Sequence, residues 1–456
     1  MSEKLNLKNT GNIFVDSGIF ALSRWFNIKI EEIEIEHIKE LSNEISKIYT
    51  MPAWKKNMYS IFPNSVLVNS AVTGDLSEIY LEELNSFIDT ITPYSENGDC
   101  IACGCRNSIS SFQKSKIPLT GSGALKNYFP FAEEGVDYCP LCVLLTQFSP
   151  LVMYRSGGKF ILLHSNSNNV MKYWAKQSID NIKNQILLNE YSGCFDEGLN
   201  NPTNAVFRII QNIIFKYDER WYEDNPSLNF YYFTNYNQNP DLSIYIVPTP
   251  VFRFLTFIPQ DERINWFKIL KTAYKNVKWE KVESFDDYKN NPNEIYNRLL
   301  INKPIIRFFF SVKSKKALCS WNLVKYYMRE VRNMEEERLV AIRNLGDNLA
   351  EYIQTNDKKK VLTSLENASN YNSFRNILRK VIKDKISNQD EKLLFTFDEY
   401  VKYLFPEGNL TWRETQDLIL FRIYEKLNSW LIEKGYVDEE IDDDEEIEND
   451  EETEDE

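Results

Sequence analysis

Apolar positions along the chain recur mostly at helical spacing. Ile33, Ile38, Leu41, Ile45 and Ile48 mark an amphipathic helix over about residues 31–49, and Tyr80, Leu81, Leu84, Phe87 and Ile88 mark another near 77–92. Val206, Ile209, Ile210, Ile213 and Ile214 form a stripe on a helix over 203–217, preceded by a helix over 167–189. Residues 12–27 differ: Ile13, Phe14, Ser17, Ile19, Ala21 and Leu22 cannot share one face, so a short buried helix is expected, capped by Asn12 or Asp16. The run KFILLH (159–164) after Gly157–Gly158 reads as a strand. Residues 228–233 and 242–247 read as a hairpin joined by the polar run 235–241. Beyond residue 260 the pattern becomes long helices, over about 262–276, 318–355, 372–386 and 412–434, with only Gly346, Gly408 and Gly435 to interrupt them. The expected fold is therefore α+β and mostly helical. A mixed domain over 1–290 carries an embedded cysteine module at about 98–145, and a helical bundle follows over 291–436.

Charge changes this picture at one end. The formal net charge is −14, yet 15 of the 19 residues from Asp438 to Glu456 are acidic and none is basic. Without them, 53 basic residues face 52 acidic ones (67 − 15), a body charge of +1. A disordered acidic tail over 437–456 is expected, and the total charge says little about the partners of the body. The start, MSEKLNLKNTGN, lacks the apolar core of a signal peptide, and no run of about 18 apolar residues occurs. No membrane partner and a cytoplasmic location are the expectations.

Five of the seven cysteines lie between residues 100 and 142. Cys100-Ile-Ala-Cys103 and Cys139-Pro-Leu-Cys142 form two knuckles separated by the 35 residues 104–138. Two CxxC knuckles complete a closed tetrahedral four-sulfur site, which suits a structural zinc with no open coordination position. The alternative is four buried free cysteines, and Cys105 is a possible fifth sulfur. A redox role fits less well, because it needs a single CxxC at a strand–helix junction. A zinc deaminase needs H-x-E followed by P-C-x-x-C; His37 and His164 are the only histidines, and Tyr138 precedes Cys139. Outside the tail no compact acidic metal motif occurs, and Asp16, Asp261, Glu262, Asp286 and Asp287 read as caps and surface. An enzyme is not expected.

The order of these motifs is informative. TGNIFVDSGIFAL (10–22), CIAC (100–103), PLTGSG (118–123) and CPLC (139–142), followed by an apolar helix and SPL (149–151), together resemble the CXXC–CXXC family of CRISPR-associated proteins. That family supplies the large subunit of a type I-B, or closely related type I-A, Cascade complex. Gly11, Asn12, Val15, Asp16 and Gly18 match its G-N-x-x-V-D-x-G start, and the resemblance covers about residues 10–151. It implies a non-catalytic antiviral-defence subunit of a crRNA-guided complex. Such a subunit recognises a protospacer-adjacent motif (PAM) in double-stranded target DNA, helps unwind it, contacts other Cascade subunits and recruits a helicase–nuclease. In related complexes the small subunit arises by internal initiation, and Met328 or Met334, in an expected long helix over 328–354, is placed to start such a product.

The basic residues offer DNA- or RNA-binding candidates. Between 303 and 332 these include Lys313, Lys315, Lys316, Lys325, Arg329 and Arg332; between 358 and 385 they include Lys358, Lys359, Lys360, Arg375, Arg379 and Lys380. Phe308, Phe309, Phe310, Trp321, Tyr326, Tyr327, Tyr371 and Phe374 interleave with them, the combination that single-strand binding uses. The same pattern also describes solvated helix faces over an aromatic core. In the first part of the chain, Lys116, Thr120 and Ser122 flank a turn suited to phosphate, and Arg155 and Lys159 bracket the glycine pair. Asn-rich stretches at 166–169 and 235–239 are further candidates for groove contact, or simply polar turns. The competing function is a zinc-stabilised scaffold or assembly protein that does not read DNA.

Overall fold

The computed structural model describes residues 5–120, 135–216, 225–390, 392–406, 408 and 410–436. The expected tail at 437–456 and Ser122 lie outside the described residues. The chain forms two compact units, Met1–Thr249 and Pro250–Glu456.

The first unit is built on a helix with almost no exposed side. Helix α1 (Ile13–Phe26) buries every residue from Phe14 to Ser23, including Asp16, Ser17 and Gly18. It starts where Asn12 accepts from the Phe14 and Val15 amides, and it ends at Asn27 in the left-handed conformation, φ 56°. Around it come α2 (Ile35–Ile48), α3 (Pro52–Ile61) and α4 (Leu76–Asp89), then the short hairpin strands β1 (Ser110–Phe112) and β2 (Val136–Tyr138). Helix α5 (Pro140–Phe148) is buried at all nine residues and is a principal partner of α1.

Strands β3 (Tyr154–Ser156) and β4 (Lys159–His164) follow, then α6 (Asn168–Leu188), β5 (Phe195–Asp196), α7 (Pro202–Lys216), β6 (Leu228–Thr234) and β7 (Asp241–Val247). They make a five-stranded sheet in the order β5-β3-β4-β6-β7, parallel only between β3 and β5. The expected strand at 159–164 and the expected 228/242 hairpin are both present. Asn235, in the connection, is buried rather than presented to a groove: it donates to the Ile61 and Lys114 carbonyls and accepts from the Leu119 amide at 3.1 Å.

The second unit begins with α8 (Thr249–Thr256), α9 (Arg263–Thr272) and α10 (Glu294–Leu300), and a two-residue pairing of β8 (Phe310–Ser311) with β9 (Lys316–Ala317) interrupts an otherwise helical run. The division therefore falls at 249/250, ahead of the expected 290/291. The physical reason is packing: Phe254 rests against Trp266, Tyr326 and Tyr327, and the Glu262 carboxylate accepts from the Ser320 amide at 3.1 Å. The expected single helix over 318–355 is two, α11 (Trp321–Glu330) and α12 (Glu336–Thr355). The chain turns between them at Asn333, φ 53°, so that Met334 is buried. Then come α13 (Lys359–Glu366), α14 (Tyr371–Ser387), the short α15 (Phe397–Glu399) with a π-turn to Leu404, and α16 (Trp412–Glu433). Helices α12 and α16 pack together, and Arg422 of α16 grips Asp347 of α12 with two bonds of 2.6 and 3.1 Å. Among the described residues no helix is long and apolar enough to cross a membrane.

Candidate metal centre and basic surfaces

The β1–β2 hairpin solves the problem posed by the 35-residue spacer. Its register sets Ser110 opposite Tyr138 and Phe112 opposite Val136, so segments far apart in sequence lie side by side. The first knuckle is closed by its own backbone: the Gly104 amide donates to the Cys100 carbonyl at 2.8 Å, and the Cys100 amide donates to the Arg106 carbonyl at 3.0 Å. The Ile101 amide donates to the Asp137 carbonyl at 3.0 Å, joining this knuckle to the strand that delivers the second. Glycine is needed at residue 98, where a Cβ would lie 2.2 Å from the Arg106 nitrogen, and Gly104 sits at φ 63°. Cys139 is the N-cap of α5, and Cys142 lies in that helix's first turn.

The four sulfurs of Cys100, Cys103, Cys139 and Cys142 lie within 4.8 Å of one another, and Cys103 and Cys139 are 3.9 Å apart. Sulfurs about 2.3 Å from a tetrahedral zinc are separated by about 3.8 Å, so the arrangement fits such an ion. The thiols compete for protons. Hydrogen bonds from Cys100, then from Cys139 and Cys142, hold Cys103 far below the usual thiol range. At Cys100 the upward push from Cys103 is outweighed by hydrogen bonds from Cys139 and Cys142, and its pKa is lowered to about 6. Cys139 and Cys142 are raised, each first by its hydrogen bond with Cys100. The match to a soft divalent cation rests on the four-sulfur donor set and its spacing. Cys105 stands outside the set of four, and burial raises its thiol. Cys194 and Cys319 are buried singly elsewhere. No histidine joins the cluster: His37 caps α2 through the Glu34 amide, and His164 pairs with Asp16.

The N-terminal motif is bolted to this centre. Asn12 donates from Nδ2 to the Tyr138 hydroxyl, next to Cys139. Asp16, expected as a cap or surface residue, is 2% exposed. Its carboxylate accepts from the Thr10 amide (2.7 Å) and hydroxyl (2.8 Å) and the Gly11 amide (3.0 Å), and it meets His164 Nε2 at 3.0 Å. A Cβ on Gly18 would lie 1.8 Å from the Leu145 carbonyl oxygen of α5, one turn beyond Cys142. Arg106, also buried, donates to the Leu5 carbonyl at 2.9 Å and ties the N-terminal segment to the first knuckle. Sequence reasoning singled out each motif; their mutual contact was invisible to it, because it is made across more than 100 residues of chain.

Most of the basic candidates are engaged within the protein. Lys116 pairs with Glu83, Arg155 with Asp196 at 3.2 Å, and Lys159 with Asp241 while lying 4.9 Å over the Tyr232 ring. Thr120 donates to the Ile117 carbonyl at 2.8 Å. Lys315 is held by Glu366 at 2.7 Å, Lys325 and Arg329 share Glu336, and Arg332 meets Glu414 at 3.2 Å. Lys313 and Lys316 also have partners within the chain. The aromatic partners are mostly core: Phe308, Phe309, Phe310, Trp321, Tyr327 and Phe374 are buried, and Tyr326 and Tyr371 are half-buried. The 358–385 segment differs. Lys358 lies 3.8 Å from Asp384, Lys359 lies over the Tyr436 ring, and Arg375 lies 6.0 Å from the Tyr371 ring. Lys360, Arg379 and Lys380 are exposed with no acidic partner among the described residues, as is Lys383. Asn166 is tied to Ser227, and Asn168 accepts from Asn9.

Residues 94–154 match the family model described as CRISPR-associated protein (Cas_CXXC_CXXC). That segment contains both knuckles, the hairpin between them and the whole of α5. No curated protein and no solved structure matches the chain.

Proposed function

From the CRISPR-associated CXXC–CXXC family to which this cysteine segment belongs, we propose that the chain is the large subunit of a crRNA-guided type I Cascade complex, of subtype I-B or I-A. In this reading it recognises the protospacer-adjacent motif in target DNA, helps open the duplex and recruits the helicase–nuclease. It acts by binding rather than by catalysis, with crRNA and the other Cascade subunits as partners. Zinc on Cys100, Cys103, Cys139 and Cys142 is structural: four protein thiolates leave no position for substrate. The observation that carries the proposal is the family match over the cysteine segment, to which α1 and its G-N-x-x-V-D-x-G start are physically joined through Asn12 and Gly18. The zinc supports recognition by fixing where α5 begins.

The test is duplex binding by the assembled complex with and without this chain, across motif variants. Loss of motif discrimination on omitting the chain is expected; equal discrimination without it would refute the proposal. The internal pairing of Lys116, Arg155 and Lys159 specifically favours a second reading, a zinc-stabilised scaffold that contacts no DNA. Under that reading, omission disrupts assembly and leaves the motif preference of any residual complex unaltered. Internal initiation at Met328 or Met334 is a separate proposal: replacing both codons should abolish a short C-terminal product, and its persistence would exclude these starts.

A further inference from the structure

Helix α9 (Arg263–Thr272) has an ordinary inner side and an anomalous outer one. Inward, Trp266, Ile269, Leu270 and Ala273 are buried, and Trp266 meets Phe254 edge-on with ring centroids 5.3 Å apart. The outward side of such a helix is normally polar. Here Ile264 is 70% exposed and Phe267 is 54% exposed. Lys268 and Lys271 share that side, because positions 264, 267, 268 and 271 follow the i, i+3, i+4, i+7 spacing of a single helix face. The strip continues past the helix: the Lys271 ammonium lies 4.6 Å over the half-buried Trp279 ring. Tyr288 packs against that ring in turn, with centroids 5.1 Å apart.

Charge on this stretch is one-sided. Residues 263–281 hold six basic residues and one acid, Glu280, and α9 itself has no acid. Arg263 and Lys268 are exposed and have no partner among the described residues, whereas Lys275 is held by Glu294 at 3.1 Å. A purely apolar partner would cover Phe267 and strip water from the cations without pairing them. A single-stranded nucleic acid satisfies both features, since its phosphates pair with the cations and its bases stack on exposed rings. Duplex bases are stacked on one another and offer no such face. From Ile264 to Lys271 the strip runs about 10 Å, the length of about three nucleotides stacked at about 3.4 Å each.

We propose that this face of α9 binds single-stranded nucleic acid, with bases stacking on Phe267 and Trp279 while Arg263, Lys268 and Lys271 meet the phosphates. The inference rests on the function proposed above for the source of the strand, opened target DNA or crRNA; the binding itself does not. The test titrates the zinc-loaded full chain with fluorescent DNA and RNA oligonucleotides of about 15 nucleotides at low salt, and the tighter of the two assigns the source. Phe267→Leu keeps an exposed apolar side chain and removes the stacking face, so affinity should fall about tenfold, and Phe267→Trp should retain it. Arg263→Gln combined with Lys268→Gln should lower the slope of log K against log salt by about 1.4, two phosphates at about 0.7 each. Iodouracil-substituted oligonucleotides should photo-cross-link to Phe267 or Trp279. The substituted side chains are exposed, so the fold is retained in these variants. Unaltered affinity and salt slope in the variants, or cross-links confined to other segments, would overturn the proposal. So would variants that bind oligonucleotide normally but no longer enter the complex, which would make this face a protein-docking surface. The two proposals fail separately: motif discrimination that survives omission of the chain refutes the function, whereas oligonucleotide affinity indifferent to Phe267 and Lys268 refutes only this surface.

Discussion

Gly18→Ala isolates the joint between the N-terminal motif and the cysteine centre. An added Cβ would lie 1.8 Å from the Leu145 carbonyl oxygen, 2.6 Å from its carbon and 3.1 Å from its Cα. All three are backbone atoms of a helix buried along its whole length, so no side chain can rotate away. Restoring ordinary contact at about 3.4 Å moves α1 and α5 apart by about 1.5 Å. Overpacking of a filled core costs about 1–3 kcal/mol, and a backbone-to-backbone clash belongs at the upper end. Alanine recovers about 1 kcal/mol of helix propensity, so the net loss is about 2 kcal/mol. For a unit of this size that lowers the midpoint by about 4–8 °C. The assay is thermal unfolding of the zinc-loaded chain, with chelator-driven zinc release as a second readout, since Cys142 moves with α5. A midpoint that rises, as propensity alone requires, together with unaltered zinc release would refute the close contact of the two helices.

Cys139→Ser should reduce bound metal from about one zinc per chain to a small fraction of that, measured by elemental analysis, because a closed four-sulfur site loses one of its four ligands. In the unsubstituted protein, zinc retention should weaken as pH falls, since protons compete for the thiolates that Cys100 and Cys103 favour; the check is chelator competition across pH 5–8. Asp16→Asn should cost about 2–3 kcal/mol in thermal or urea unfolding, because the buried carboxylate accepts from Thr10, Gly11 and His164, and an amide turns one acceptor into a donor facing donors.

Much of the local structure was legible in the chain. The strand at 159–164, the helices over 168–188 and 202–216, and Asn12 as a cap follow from periodicity and capping chemistry, which act within a few residues. Helices α3 and α13 escaped notice, being short and flanked by polar turns, and the break at Asn333 escaped because a left-handed residue leaves no mark on the apolar pattern. The basic stretches show the sharper limit. Charge count and aromatic interleaving are the same whether a lysine is free or held by a glutamate far away in sequence, as Lys315 is held by Glu366.

By itself the sequence determined the four metal-ligand candidates, because CxxC spacing is a local geometric requirement. It also determined the helical character of the second half and the separation of an acidic end from a nearly neutral body. Only the tertiary structure decided which lysines remain available, why Gly18 and Asp16 stand where they do, and that the N-terminal motif and the cysteine knuckles form one assembly. Those properties depend on contacts between distant segments, and a linear pattern of residue types carries no record of which surfaces meet.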